Sequence, residues 1–280
     1  MPRIRAAHAI LFTTFALIPS SIEAQQLSRF LPGSRLVPVI RANPREPSAG
    51  AKLVGVLNAA SQYGTGIEGE ALIGHSIPFV LLSGDSRERA IVLGVQGAVF
   101  GRFLMETVER ELISTDWMFA IPLVVWRGRN WYRFRYRHLS SHLGDEYLED
   151  FDAERLDFTR DAFEITVYRS LTPGFSAYAG GDFAVNVDPI GSKRFRVLGG
   201  IELTDVASTG AGRFFGGVDV NMYQDDDWKP RVNVQAGVLL LPEQERRLRF
   251  VMDMAFGRSI QGEFHPEAET VIMLGLLIEL

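Results

Sequence analysis

Twelve stretches of this chain alternate, residue by residue, between apolar and polar side chains. They fall at about 51–62, 68–82, 89–104, 115–127, 130–140, 155–170, 174–187, 193–205, 213–225, 229–241, 247–258 and 269–280. A period of two puts successive side chains on opposite faces of a β-strand. Globular strands usually run to about 5–6 residues. These run to about 11–16, enough for the roughly 9–11 residues that cross a bilayer as a tilted strand, with some overhang.

The faces divide cleanly. In 247–258, Leu248, Phe250, Met252, Met254 and Phe256 share one side, while Arg249 and Asp253 take the other. In 174–187, Phe175, Ala177, Ala179, Phe183, Val185 and Val187 oppose Ser176, Tyr178, Asp182 and Asn186. A soluble periplasmic β-sandwich that binds a lipophilic ligand gives the same alternation, so other features must choose. The strand number is even, as a closed antiparallel barrel requires. The links alternate between short turns and longer loops, and the three longest fall on one side. The chain opens with Arg3 and Arg5, an apolar run from Ala9 to Ile18, and Ala24 as a cleavage position, which together read as a secretory signal. The expectation is an all-β, antiparallel transmembrane β-barrel of about 12 strands in the outer membrane of a Gram-negative bacterium. Residues 1–24 form the signal peptide, 25–50 an extended periplasmic lead-in, and 51–280 the barrel. Pro78, Pro122 and Pro230 fall inside expected strands, and each predicts a bulge or a strand boundary there.

Composition removes several alternatives. With no Cys, disulfides and thiol chemistry are excluded. A net charge of −5 argues against holding nucleic acid by bulk positive charge. Membrane lipids are the expected partners.

The stretch "WYRFRYRHLSSHLGDE", Trp131 to Glu146, carries the chemistry. Tyr132, Phe134 and Tyr136 would face lipid. Arg133, Arg135 and Arg137 would face the lumen, with Glu164, Asp182, Glu202, Asp219 and Asp253 as candidate partners. A twelve-stranded lumen is narrow, so both signs of large side chain would fill it. The alternative is a narrow channel for anions or small solutes along the arginine row. Lipid-face parity continues to His138 and Ser140. Serine needs an adjacent base to become a nucleophile, and histidine suits that role near neutral pH. A third group should orient the imidazole. Asp145, Glu146, Glu149, Asp150, Asp152, Glu154 and Asp157 follow closely. His142, Asp145, Glu146, Arg133, Arg135 and Arg137 are the candidate binding residues, and the bland reading is a polar strand end and a turn whose acids are solvated. No cofactor and no metal ligand are assigned, although calcium held by loop acids would fit the oxyanion-stabilising role.

"RYRHLSSHLGDE" and the earlier "RANPREP" resemble an uncharacterised family of bacterial outer-membrane proteins whose defining stretch is S-S-H-L-G-D-E after a His-x-Ser. The likeness runs from about residue 41 to the end and implies an outer-membrane barrel of unknown function. Over about five residues, "YRHLS" is similar to the catalytic strands of outer-membrane phospholipase A and the outer-membrane lipid A deacylase. That likeness implies His138 as base, Ser140 as nucleophile, and a third member about a dozen residues on, where Asp152 is the nearest position. The expected function is an outer-membrane barrel of undetermined role with a charge-filled lumen. The alternative is a serine hydrolase of lipid esters.

Overall fold

The computed structural model describes residues 29–32, 36–86, 88–106, 111–189, 192–209, 212–240 and 247–279. The secretory signal lies outside them. Twelve strands form one antiparallel sheet: β1 (Ala49–Asn58), β2 (Gly66–Ser86), β3 (Arg89–Leu104), β4 (Leu112–Arg127), β5 (Asn130–Leu143), β6 (Thr159–Thr172), β7 (Phe175–Asp188), β8 (Phe195–Leu203), β9 (Gly212–Tyr223), β10 (Pro230–Leu240), β11 (Arg247–Arg258) and β12 (Ala268–Glu279). A two-residue stub, Ser208–Thr209, pairs with the start of β9. Consecutive strands are neighbours throughout, and β1 pairs with β12, Ala49 opposite Ile278, which closes the barrel. Closure leaves no sheet edge to hydrogen-bond with lipid. Among the described residues no helix is long and apolar enough to cross a membrane; the strands do the crossing.

The alternation of the sequence becomes the alternation of the barrel wall. On β5, Arg133, Arg135 and Arg137 are buried, whereas Tyr132 and Phe134 are exposed. The exposed band includes Ile73, Ile165, Phe250, Met252, Leu274 and Leu276, and a contiguous apolar belt of this kind suits hydrocarbon, not water. The prolines sit where the ladder tolerates them. Pro78 lies at a register shift between β2 and β3, beyond the point where β1 has ended against Leu72. Pro122 lies beside an interruption of the β3–β4 pairing, and Pro230 is the first residue of β10.

Two expectations about faces and links need correction. A register shift between Asp161 and Ala162 marks a bulge on β7 that places Val185 and Asn186 both on the outside and turns Val187 inward. A bulge adds one residue and so reverses the parity beyond it. The expected loop after Ser140 lies further along the chain: β5 continues to Leu143, a helix, α1 (Asp145–Phe151), follows, and β6 begins only at Thr159.

The largest departure is the lead-in. Residues 36–48 do not extend into the periplasm; most of them are buried inside the barrel. Leu36, Val37 and Ile40 pack against Val92, Val124, Trp126 and Trp131. Prolines keep this segment irregular, so its backbone groups need partners from the wall. Trp126 Nε1 donates to the Leu36 carbonyl at 2.7 Å, an Arg133 guanidinium to that of Pro38 at 3.2 Å, and Asn233 to that of Ala42 at 2.7 Å. The Arg41 amide donates to Glu202 at 2.7 Å. Irregular backbone is stable at membrane depth when inward side chains satisfy it in this way.

Candidate active site

His138 and Ser140 lie two residues apart near the end of β5 that leads into the long links, on the lipid-facing side. The His138 Nδ1 is 2.8 Å from Asp161 Oδ1. Asp161 stands directly opposite His138 in the β5–β6 register, so strand pairing itself delivers the carboxylate. The same oxygen accepts the Tyr136 hydroxyl at 2.7 Å, and the second oxygen accepts the Asn186 amide at 3.1 Å. Three strands thus bring four polar groups together on the outer surface. A lone carboxylate there would be costly, and these three partners offset that cost. With Nδ1 engaged by Asp161, Nε2 is the ring nitrogen left to accept a proton. Trp117 is opposite Ser140 and Phe119 is opposite His138 on β4, both exposed, giving the polar group an aromatic border.

The carboxylate beside His138 is not the expected Asp152. Asp152 ends α1 in a left-handed conformation, exposed, with its amide on the Leu148 carbonyl. Glu154 is exposed in the following link. The carboxylate on His138 is Asp161, because β6 begins at Thr159 and returns antiparallel beside β5. His142 continues the outward row beyond Ser140 and is exposed. Asp145 and Glu146 occupy the first turn of α1, where acidic groups suit the positive end of the helix. Asp145 pairs with Arg155 at 3.3 Å. Among the described residues no three His, Asp or Glu side chains gather closely enough to hold a metal ion.

Ser141 points the other way. Its hydroxyl donates to Asp116 and accepts the Glu263 amide at 3.0 Å. Asp116 also accepts the Gly262 amide at 3.2 Å and pairs with Arg45 of the internal segment. Gly262 is required by proximity: a β-carbon there would lie 2.4 Å from the Phe158 ring and 2.6 Å from the Ser141 β-carbon. The link between β11 and β12 therefore folds onto the inner side of the strand that carries the outward histidine and serine.

The three arginines meet carboxylates in the lumen. Glu46 binds Arg133 at 2.6 Å and Arg135 at 3.1 Å. Glu164 binds the same two at 3.1 and 2.8 Å, and Arg196 at 2.7 Å. Asp182 takes Arg137, more loosely at 3.5 Å, together with Arg160 and Arg196. Of the other expected partners, Asp253 pairs with Lys52 at 3.1 Å, Asp219 accepts the Tyr178 hydroxyl, and Glu202 accepts that of Tyr168. Outside the strands, Asp225 joins Arg258 at 2.8 Å and His265 at 3.0 Å. Partial burial opposes its ionisation, but the bonds from His265 and Arg258 outweigh this and hold the carboxyl down at about 2.

Sequence reading missed Asp161, Asn186, Arg45 and Glu46. Asp161 had a signal: it shares parity with Phe163, Ile165 and Val167, and an acid on a lipid face demands a partner. Asn186 was hidden by the bulge. Arg45 and Glu46 were read as part of a solvated lead-in.

In fold, the chain is similar to outer membrane phospholipase A from Escherichia coli, with a TM-score of 0.60 over 90% of this chain and 98% of that one, at 9% sequence identity. The transport unit of the autotransporter AIDA-I from Escherichia coli gives a TM-score of 0.42 over 92% and 97%, at 10% identity. A family model described as "Protein of unknown function (DUF1207)" matches residues 17–278. Comparison with curated proteins finds no match.

Proposed function

The chain belongs to the DUF1207 family of proteins of unknown function, and for this outer-membrane β-barrel we propose a lipid ester hydrolase that works from its outer wall. The observation that carries the reading is the 2.8 Å contact between His138 and Asp161 on the lipid-facing side, with Ser140 two residues along the same face. Asp161 would hold the imidazole with its proton on Nδ1. Nε2 would take the proton of the Ser140 hydroxyl as the oxygen attacks an ester carbonyl, then return it to the leaving alcohol. Water would release the acyl group by the same route in reverse. An outward site near the strand end meets the ester of a bilayer lipid at its own depth, so the lipid need not leave the membrane. Outer membrane phospholipase A has this barrel fold, and its name describes chemistry of the class proposed.

The lumen fits a structural role better than a conducting one. Its arginines are bound to buried carboxylates, and the 36–48 segment fills the space between them. Such pairs make a strut, whereas an anion path needs cations open to solvent.

The test is hydrolysis of phospholipid by the refolded barrel in vesicles. Ser140→Ala should abolish turnover while the protein keeps its heat-modifiable migration. Ser141→Ala should retain turnover per folded molecule. Equal activity in wild type and Ser140→Ala would exclude the serine mechanism.

A further inference from the structure

The end of the barrel opposite the proposed active site carries a row of outward arginines. Arg89 on β3 and Arg127 on β4 are directly opposed in register. Arg129 occupies the turn to β5, and Arg169 on β6 lies one residue beyond the Trp131–Tyr168 pair. All four are exposed, and Arg89, Arg127 and Arg169 share parity with lipid-facing neighbours such as Val125, Tyr132 and Val167. Three strand spacings separate Arg89 from Arg169, roughly 15 Å. None of the four forms an ion pair with a described carboxylate. The nearest acid in sequence, Glu88, lies in the preceding turn, where its carbonyl accepts the Gly128 amide.

Like charges directly opposite on a sheet repel, so the Arg89–Arg127 pair favours an anion between its guanidinium groups. The depth identifies which anion. From Asn130 to Ser140 a strand rises about 33 Å, which at a tilt near 40° is roughly 25 Å along the membrane normal. That equals the height of an apolar belt, and the outward residues between, among them Phe134, Ile165 and Val167, are apolar. If Ser140 meets the outer headgroup region, the arginine row meets the inner one. Short turns and chain termini of such barrels face the periplasm, and the 128–129 turn is on that side.

We propose that the periplasmic rim of β3–β6 is a binding surface for the phosphate groups of inner-leaflet phospholipids. The arginine stems lie along the acyl region while their planar heads bind phosphate through paired N–H donors. A free anion gains the heads alone; a phospholipid also covers the apolar wall above them. This surface does not depend on the hydrolase reading.

The experiment reconstitutes the barrel in phosphatidylcholine and measures, by electron paramagnetic resonance, the motionally restricted fraction of spin-labelled phosphatidylglycerol against spin-labelled phosphatidylcholine. Ether-linked lipids prevent consumption by any esterase activity. Wild type should favour phosphatidylglycerol severalfold, and salt should reduce that preference. The triple change Arg89→Gln, Arg127→Gln and Arg169→Gln should bring it to parity, while Arg155→Gln at the other end should leave it intact. Arg169→Gln alone should lower it partway, which covers a triple variant that fails to fold. Absence of a preference in wild type, or a preference that survives the triple change, overturns the proposal. Displacement of the lipid by excess inorganic phosphate would assign the row to free anions instead.

Discussion

Asp161 is the residue at which the outward polar group converges. It accepts from His138, Tyr136 and Asn186, and strand register rather than a loop holds it in place. Losing such an orienting group removes the preferred imidazole tautomer and its alignment together. Asp161→Ala should therefore lower the rate of lipid ester hydrolysis by about a hundredfold or more, with Asp152→Ala close to wild type. Vesicle assays on both variants decide it, and an equal loss in the two would show that the imidazole is not aligned by its strand neighbour. The helix position of Asp152 gives no reason for its side chain to reach β5.

Among the elements, the internal segment 36–48 does the most to hold the barrel in one arrangement. Glu46 joins Arg133 to Arg135, and Arg45 joins Asp116, itself bonded to Ser141. The segment is thereby fixed to the inner side of β5, the strand whose outer side carries His138 and Ser140. Removing one partner of a buried ion pair leaves an uncompensated charge and typically costs about 3–5 kcal/mol. Glu46→Ala should fall near the low end, since Glu164 still holds both arginines. Arg135→Glu should cost more, because it sets a new carboxylate beside Glu46 and Glu164. Urea unfolding in vesicles reads both; an unchanged midpoint for Arg135→Glu would contradict the strut.

At the scale of the whole molecule, a closed wall surrounds the buried 36–48 segment and the ion pairs that join it to the wall. A cavity of about 570 Å³ remains, bordered by Trp126, Trp131 and Tyr168 and by Val37–Val39 of the internal segment. Segment and wall pack together above it, so a barrel with this interior should not conduct. In planar bilayers the wild-type protein should show no unitary current steps, and steps that depend on anion identity would restore the channel reading. The wall has two distinct ends: the polar group around Asp161 at one interface, an arginine row at the other, and an apolar belt between them.

The sequence by itself determined the class of fold, the faces and most of the lumen. Strand alternation has a strict period of two, and hydrophobicity is read locally, so Arg133, Arg135 and Arg137 could be placed inward and His138 and Ser140 outward without any coordinates. Even the partners Glu164 and Asp182 were legible from parity. Tertiary structure alone decided which carboxylate meets His138, because register depends on where β6 begins, and α1 shifted that start past the expected position. It also decided Asn186, whose face a single bulge reversed. Above all it decided the fate of residues 36–48. Polar, proline-rich composition describes solvated chain equally well as chain whose polar groups are satisfied inside a charged lumen; only closure of the barrel around it distinguishes the two.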